Sequence, residues 1–161
     1  MNYGYTILES PTAYDIEMMR AAYEVAQESD HPRTQVGAVL GPCTGCNSKA
    51  DFRDAHPEDP EWSRVHAEVS VLLRCAMNGH HARAYTMYAP WACCTHCASC
   101  ILKAGVPRVV VHHQLMQFTY PKWQESVKAG LDMLLRNQVR VEAISKKFGY
   151  TIRFNGEEVT V

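Results

Sequence analysis

The chain has 161 residues, 47% of them hydrophobic, and 16 basic against 17 acidic side chains give a net charge of −1. That size suits one compact domain with its own core, and no apolar run is long enough to cross a bilayer. Near-neutral charge argues against broad electrostatic capture of a polynucleotide, which needs many Lys and Arg on phosphates, but leaves room for a single nucleotide held by a local Arg or Lys.

The N-terminus, Met1 to Tyr5, has no basic segment followed by an apolar one, so a cytoplasmic location is expected. Thr12 to Glu28 reads as a helix capped by Thr12, with Ile16, Met19, Tyr23 and Ala26 on one stripe. Ser29-Asp30-His31-Pro32 stops it, because the residue before proline avoids the helical region. Gln35 to Leu40 is a short apolar run that reads as a buried strand, reversed at Gly41-Pro42, and Cys43 to Asn47 reads as a brief second strand. Residues 48–64, polar and carrying Pro57 and Pro60, form a surface insertion of a length that usually has a function. Val65 to Asn78 reads as a helix with Val69, Leu72, Leu73 and Ala76 on one side, ended by Gly79. A strand follows at Tyr85 to Ala89, a helix at Cys94 to Ala104 closed by Gly105, and a strand at Pro107 to His112. Pro121 to Asn137 is a helix with Trp123, Val127, Leu131 and Leu134 in register, and Val139 to Ile144 is a strand. Residues 149–161 read as a C-terminal hairpin turning at Asn155-Gly156. Alternating strands and helices predict one α/β domain over residues 1–161, a three-layer α/β/α sandwich on a mixed sheet of about five strands.

Seven cysteines are many for a chain expected in a reducing compartment, and Cys93, Cys94, Cys97 and Cys100 crowd together, which points to metal before disulfides. Cys75 and Cys100 read as small core residues. His66-Ala67-Glu68 opens one predicted helix, and Cys94-Thr95-His96-Cys97 opens the next, with a strand between them that sets the two helix beginnings side by side. A catalytic zinc takes three protein ligands and keeps one place for water. His66, Cys94 and Cys97 supply an imidazole and two thiolates, which a helix N-terminus helps to ionise. Such an ion lowers the pKa of its water to about 7. Glu68, two residues past His66 in the same turn, is placed to move protons between water and substrate.

On these residues the chain resembles the cytidine/deoxycytidylate deaminase superfamily, whose signature is H-x-E followed by P-C-x-x-C. The likeness runs through His66-Ala67-Glu68, Tyr85 to Ala98 and Ile101 to Val111. Upstream it takes in Thr34 to Leu40 and Gly45-Cys46-Asn47, and it covers about Ala13 to Val141. It implies a cytidine deaminase-like fold and hydrolytic exchange of an exocyclic amine for a carbonyl, with release of ammonia. It also implies that Asn47 contacts sugar or base and that the Ala67 amide holds the base carbonyl. Two places depart from the family pattern. Cys93 stands where the family has proline, which leaves Cys93 or Cys94 as the partner of Cys97; the two-residue spacing selects Cys94. The link from Leu40 to Asn47 is shorter than the usual hairpin.

A His ligand in the first motif and the long polar insertion resemble the nucleotide-acting members. The expected substrate is therefore a deoxycytidine nucleotide, dCMP giving dUMP, in a homo-oligomer, commonly a hexamer. The alternatives are a free-base or nucleoside deaminase acting on guanine or cytosine, and a deaminase of transfer RNA or single-stranded DNA, against which the charge of −1 speaks. A zinc-scaffolded binding module without activity is a third. Cys43-x-x-Cys46, with His56 or another histidine, is spaced for a second, structural zinc; the competing reading is two buried cysteines flanking a turn. Trp91 either lines the base pocket or packs in the core. His112 and His113 end a strand at the expected rim of the site, and Arg33, Arg53 and Arg64 are candidates for a phosphate contact.

Overall fold

The computed structural model describes residues 3–49 and 64–161. In chain order these form β1 (Thr6–Leu8), α1 (Ala13–Gln27), β2 (Gly37–Gly41), β3 (Asn47–Lys49), α2 (Ala67–Met77), β4 (Thr86–Tyr88) and α3 (Thr95–Ala104). Then come β5 (Arg108–His112), α4 (His113–Gln117), α5 (Pro121–Arg136), β6 (Arg140–Ile144) and a hairpin of β7 (Thr151–Phe154) and β8 (Glu157–Thr160). A 3₁₀ turn at Ala82–Ala84 leads into β4. None of the helices is long and apolar enough to cross a membrane among the described residues.

The main sheet has six strands in the order β1-β6-β5-β4-β2-β3. β1, β6, β5 and β4 run parallel, while β2 runs antiparallel to both β4 and β3, so the sheet is mixed as expected. The strand beyond the five read from the sequence is β1, three residues too short and too exposed to show a period. The second strand lies at Asn47–Lys49 instead of Cys43 to Asn47. Residues 43–46 are a turn, in which the Cys43 N–H donates to the Leu40 carbonyl and the Cys46 N–H to that of Cys43.

Strand alternation sorts the core into two layers. Ala38, Leu40, Met87, Val109, Val111, Val141 and Ala143 face α2, α3 and α5. Val39, Tyr88, Val110 and Ile144 face α1 and the C-terminal hairpin. The second outer layer is thus a helix and a hairpin together. Gly37 allows this packing, since a Cβ there would lie 2.5 Å from the Ala22 carbonyl oxygen of α1. The buried stripe of α2 is Ala67, Glu68, Val71, Leu72 and Cys75. Of the expected stripe, Leu72 is buried and Val69 packs against the core, whereas Leu73, 55% exposed, and Ala76 turn away from it. Under the sheet, Arg108 Nη1 pairs with Asp15 at 2.7 Å and its Nε with Glu142, and Tyr88 donates to the same Asp15. Burial alone would raise the Asp15 carboxyl; the bonds from Arg108, Thr12 and Tyr88 outweigh it and hold the group at about 2.

Candidate active site

β4 ends at Tyr88, but its pairing with β5 continues, through Ala89 N–H to the Val110 carbonyl and His112 N–H to that of Pro90. The chain then turns through residues 91–94 and delivers Cys94 as the N-cap of α3. Because β2 is antiparallel to β4, α2 is laid beside α3, with His66 as its own N-cap. Both cap residues are extended and neither makes a side-chain capping bond. His66 Nδ1 lies 3.6 Å from Cys94 Sγ and 3.3 Å from Cys97 Sγ, and the two sulfurs are 3.7 Å apart. A tetrahedral zinc, about 2.3 Å from sulfur and about 2.0 Å from nitrogen, sets its ligand atoms roughly 3.5–3.8 Å apart. The three donors therefore fit the ion in type and spacing.

Glu68 is 7% exposed, and its Oε2 lies 3.7 Å from Cys97 Sγ. Burial raises its carboxyl above the ordinary range, outweighing the nearby His66. The hydrogen bond between the sulfurs lowers the Cys94 thiol to about 3, with His66 adding to it, and the same contact together with burial raises Cys97. Cys93 is 2% exposed in the core, where burial raises its thiol well above the usual range, and it stands apart from the His66 cluster.

Ala67 is the first residue of α2, where the helix leaves its amide N–H without a helical acceptor. Trp91 is half-buried; its indole N–H donates to Thr119 at 3.0 Å, and its ring meets Trp123 and Phe154 edge-on. Asn47 is not brought to the triad. It is exposed on an edge strand and opposite Val39, so its side chain points to the α1 face while the triad lies on the α2 face. Ser48 takes the α2 side and donates to Ser70. His112 is fully buried between the Tyr23 hydroxyl and the Lys146 carbonyl and is a core residue. His113 bonds the Tyr5 hydroxyl. Arg64 donates to His31 at 3.0 Å, two residues before the ligand His66, and Arg33 is exposed. Arg53 and His56 lie outside the described residues. Cys43 and Cys46 are joined as a disulfide, with Cys75 close beside them.

Two positions escaped the sequence reading. Gly130 lies on the buried face of α5, and a Cβ there would be 2.7 Å from the Cys93 carbonyl oxygen and 3.0 Å from the carbonyl carbon and oxygen of Cys94. Its bare backbone lets α5 rest on the chain that carries the first thiolate. A glycine inside the Val127–Leu131 apolar stripe was the available signal. Ser126, one turn earlier, accepts the Thr95 N–H at 3.4 Å and steadies the start of α3.

The deoxycytidylate deaminase of Enterobacteria phage T4 is 31% identical over 98 residues, which are 60% of this chain and 46% of that protein. That of phage T2 is 31% identical over 87 residues, 54% of this chain and 42% of its own length. The chain thus spans about half the length of the curated relatives it matches. The dCMP deaminase of cyanophage S-TIM5, solved with dCMP and dUMP, superimposes with a TM-score of 0.63 at 20% identity. That match covers 84% of this chain and 99% of the other, and the two share the fold. A model of the cytidine and deoxycytidylate deaminase zinc-binding region matches residues 12–113, which contain the triad and Glu68. With more than half of its length inside that match and three donors at ligand spacing, the chain belongs to the cytidine and deoxycytidylate deaminase zinc-binding family.

Proposed function

We propose that this chain is a zinc-dependent hydrolase of the C–N bond of a deoxycytidine nucleotide, converting dCMP to dUMP and ammonia. The observation that carries the reading is one imidazole and two sulfurs at zinc spacing with a buried carboxyl group 3.7 Å from one of the sulfurs. The relatives named deoxycytidylate deaminase supply the substrate class. His66, Cys94 and Cys97 hold the ion, which when bound supplies the Lewis acidity that makes water a nucleophile at neutral pH. Glu68 carries the two protons of the attacking water in turn, the first to the ring nitrogen of the base and the second to the departing amine. Its burial keeps it basic enough for that exchange. The free amide of Ala67 binds the base carbonyl, and Trp91, fixed by Thr119, lines the pocket wall. Arg64, beside the ligand helix, and Arg33 meet the phosphate. The proposal includes a cytoplasmic, homo-oligomeric enzyme, up to a hexamer, for which Leu73 (55% exposed) and Met77 (84%) on α2 offer apolar surface.

Glu68→Gln tests the proton role. Zinc content is expected to stay at the wild-type level while kcat falls by about 10²–10⁴-fold or more. Undiminished turnover in that variant refutes the role. Ammonia release from dCMP but not from cytosine, cytidine or guanine supports the nucleotide reading; release from the phosphate-free compounds alone overturns it.

A further inference from the structure

We propose that the tip of the C-terminal hairpin shapes the substrate pocket, where Asn155 is a positioning residue that sets the gap between Trp91 and the loop carrying Arg33. What the gap holds rests on the nucleotide reading above; the brace itself does not. Both hairpin strands lie outside the stretch 12–113 that matches the family. β2 is antiparallel to β4 and starts at Gly37, with Val39 already opposite Tyr88, so residues 31–36 reach the same sheet end as Pro90 to Cys94. The hairpin is sewn onto that loop. The Gln35 N–H donates to the Arg153 carbonyl at 2.7 Å, the Arg153 N–H to the Gln35 side-chain oxygen at 2.8 Å, and the Gly156 N–H to the Arg33 carbonyl at 2.7 Å. On its other side, Asn155 Nδ2 donates to the Phe118 carbonyl at 2.9 Å. Thr119, the next residue, accepts the Trp91 indole N–H, and Phe154, 1% exposed, meets the Trp91 ring edge-on with centroids 5.2 Å apart.

The turn alone does not account for Asn155. Its φ of +57 and the +89 of Gly156 are left-handed, as a two-residue hairpin turn needs, and glycine would serve at both places. The asparagine side chain adds a bond that glycine lacks, and that bond ends on the corner that holds the ligand loop. The corner, residues 116–119, carries the chain before Cys94 at two points: the Ala92 N–H donates to Met116 Sδ at 3.2 Å and Trp91 to Thr119 at 3.0 Å. The Thr119 hydroxyl in turn donates to the Met116 carbonyl at 2.8 Å. One amide group therefore joins the loop of Arg33, given above to the phosphate, to the indole given to the base. A pocket whose two walls are tied together loses less freedom on binding, because the ordering is done before the substrate arrives. The wall meets substrate and transition state alike, so slackening it weakens binding more than the chemical step.

The test uses the full zinc-loaded chain grown with 5-fluorotryptophan, its Trp91 fluorine line assigned by Trp91→Phe. Asn155→Gly keeps the turn and removes the amide. Asn155→Asp keeps the shape and sets an acceptor, in place of the donor, against the Phe118 carbonyl. Both are expected to shift the Trp91 line and to raise KM for dCMP about 3–10-fold, the size of one lost hydrogen bond, with kcat within about twofold and zinc content unchanged. Thr160→Val, which breaks the Thr151–Thr160 hydroxyl pair at the far end of the hairpin, is expected to change neither the line nor KM. A Trp91 line unmoved in both Asn155 variants overturns the brace. So does a loss of kcat or zinc as large as the rise in KM, or an equal rise in KM from Thr160→Val, since each marks general damage to the fold. A wild-type chain that leaves dCMP untouched refutes the nucleotide reading instead, and the fluorine lines of the Asn155 variants still decide the brace.

Discussion

Replacing Gly130 with Ala puts a methyl carbon 2.7 Å from the Cys93 carbonyl oxygen and 3.0 Å from the carbonyl group of Cys94. Ordinary contact begins at 3.4 Å, so α5 and the ligand chain must separate by up to about 0.7 Å. Both neighbours are backbone, and no flexible tip can yield. Overpacking of this kind costs about 1–3 kcal/mol, while the gain in helix propensity returns about 1 kcal/mol. The net loss is up to about 2 kcal/mol, or a Tm lower by up to roughly 8 °C for a domain of this size. The displacement also reaches Cys94, where metal–ligand distances tolerate only about 0.2 Å. Zinc affinity and kcat/KM are each expected to drop about 10–100-fold. Thermal melts with and without zinc, zinc competition against a metallochromic indicator and steady-state deamination measure the three effects. Gly149→Ala is the control. Its φ of +78 strains an alanine in open space, so it lowers Tm but leaves zinc affinity intact. A Gly130→Ala chain with wild-type Tm, zinc affinity and kcat/KM refutes the close-packing account.

Asp15→Asn removes the carboxylate from a nearly dry pair and leaves Arg108 with Glu142 alone. Urea unfolding should show a loss of about 3 kcal/mol, and one below about 1 kcal/mol would contradict it. Burial holds His112 neutral down to about 4, against about 6.5 in the unfolded chain. Between those values the unfolded state binds the extra proton, so stability falls by up to roughly 3 kcal/mol as pH drops from about 6.5 to about 4. Asp15, held at about 2, adds a second loss between about 4 and about 2 as its carboxylate is protonated. Denaturation midpoints across pH check both windows, and His112→Gln should flatten only the upper one.

The triad was legible because its parts are local: His66 and Glu68 share one turn, Cys94 and Cys97 another, and the order helix, strand, helix brings the two turns together. The apolar runs in β2 and β5 and the Asn155-Gly156 hairpin were equally readable, since each is a signal within a few residues. What stayed hidden depends on distant partners. Nothing near Gly130 says that residues 93 and 94 cross over it, and nothing near Cys75 says that two more sulfurs arrive from a turn some thirty residues earlier. Nothing near Asp15 says that, besides closing the capping box of α1, it holds Arg108, more than ninety residues later in the chain. The face of α2 was placed in part: Leu72 is buried, but Leu73 looks like core by composition and is exposed, while the smaller Ala67 and Cys75 are what the sheet covers. Asn47 was placed by its neighbours in sequence, and strand register turned it to the other side.

Helix α1, which has no part in the chemistry, begins on a full capping box of Thr12 and Asp15. The two helices that bear the reactive groups begin on His66 and Cys94, whose side chains point at each other and leave the first amides of both helices without that help. A Ser or Asp there would steady each helix by about 0.5–2 kcal/mol. An ion held by His66, Cys94 and Cys97 would tie these two uncapped helix beginnings together, so that its binding energy would also stabilise the fold around the reactive groups.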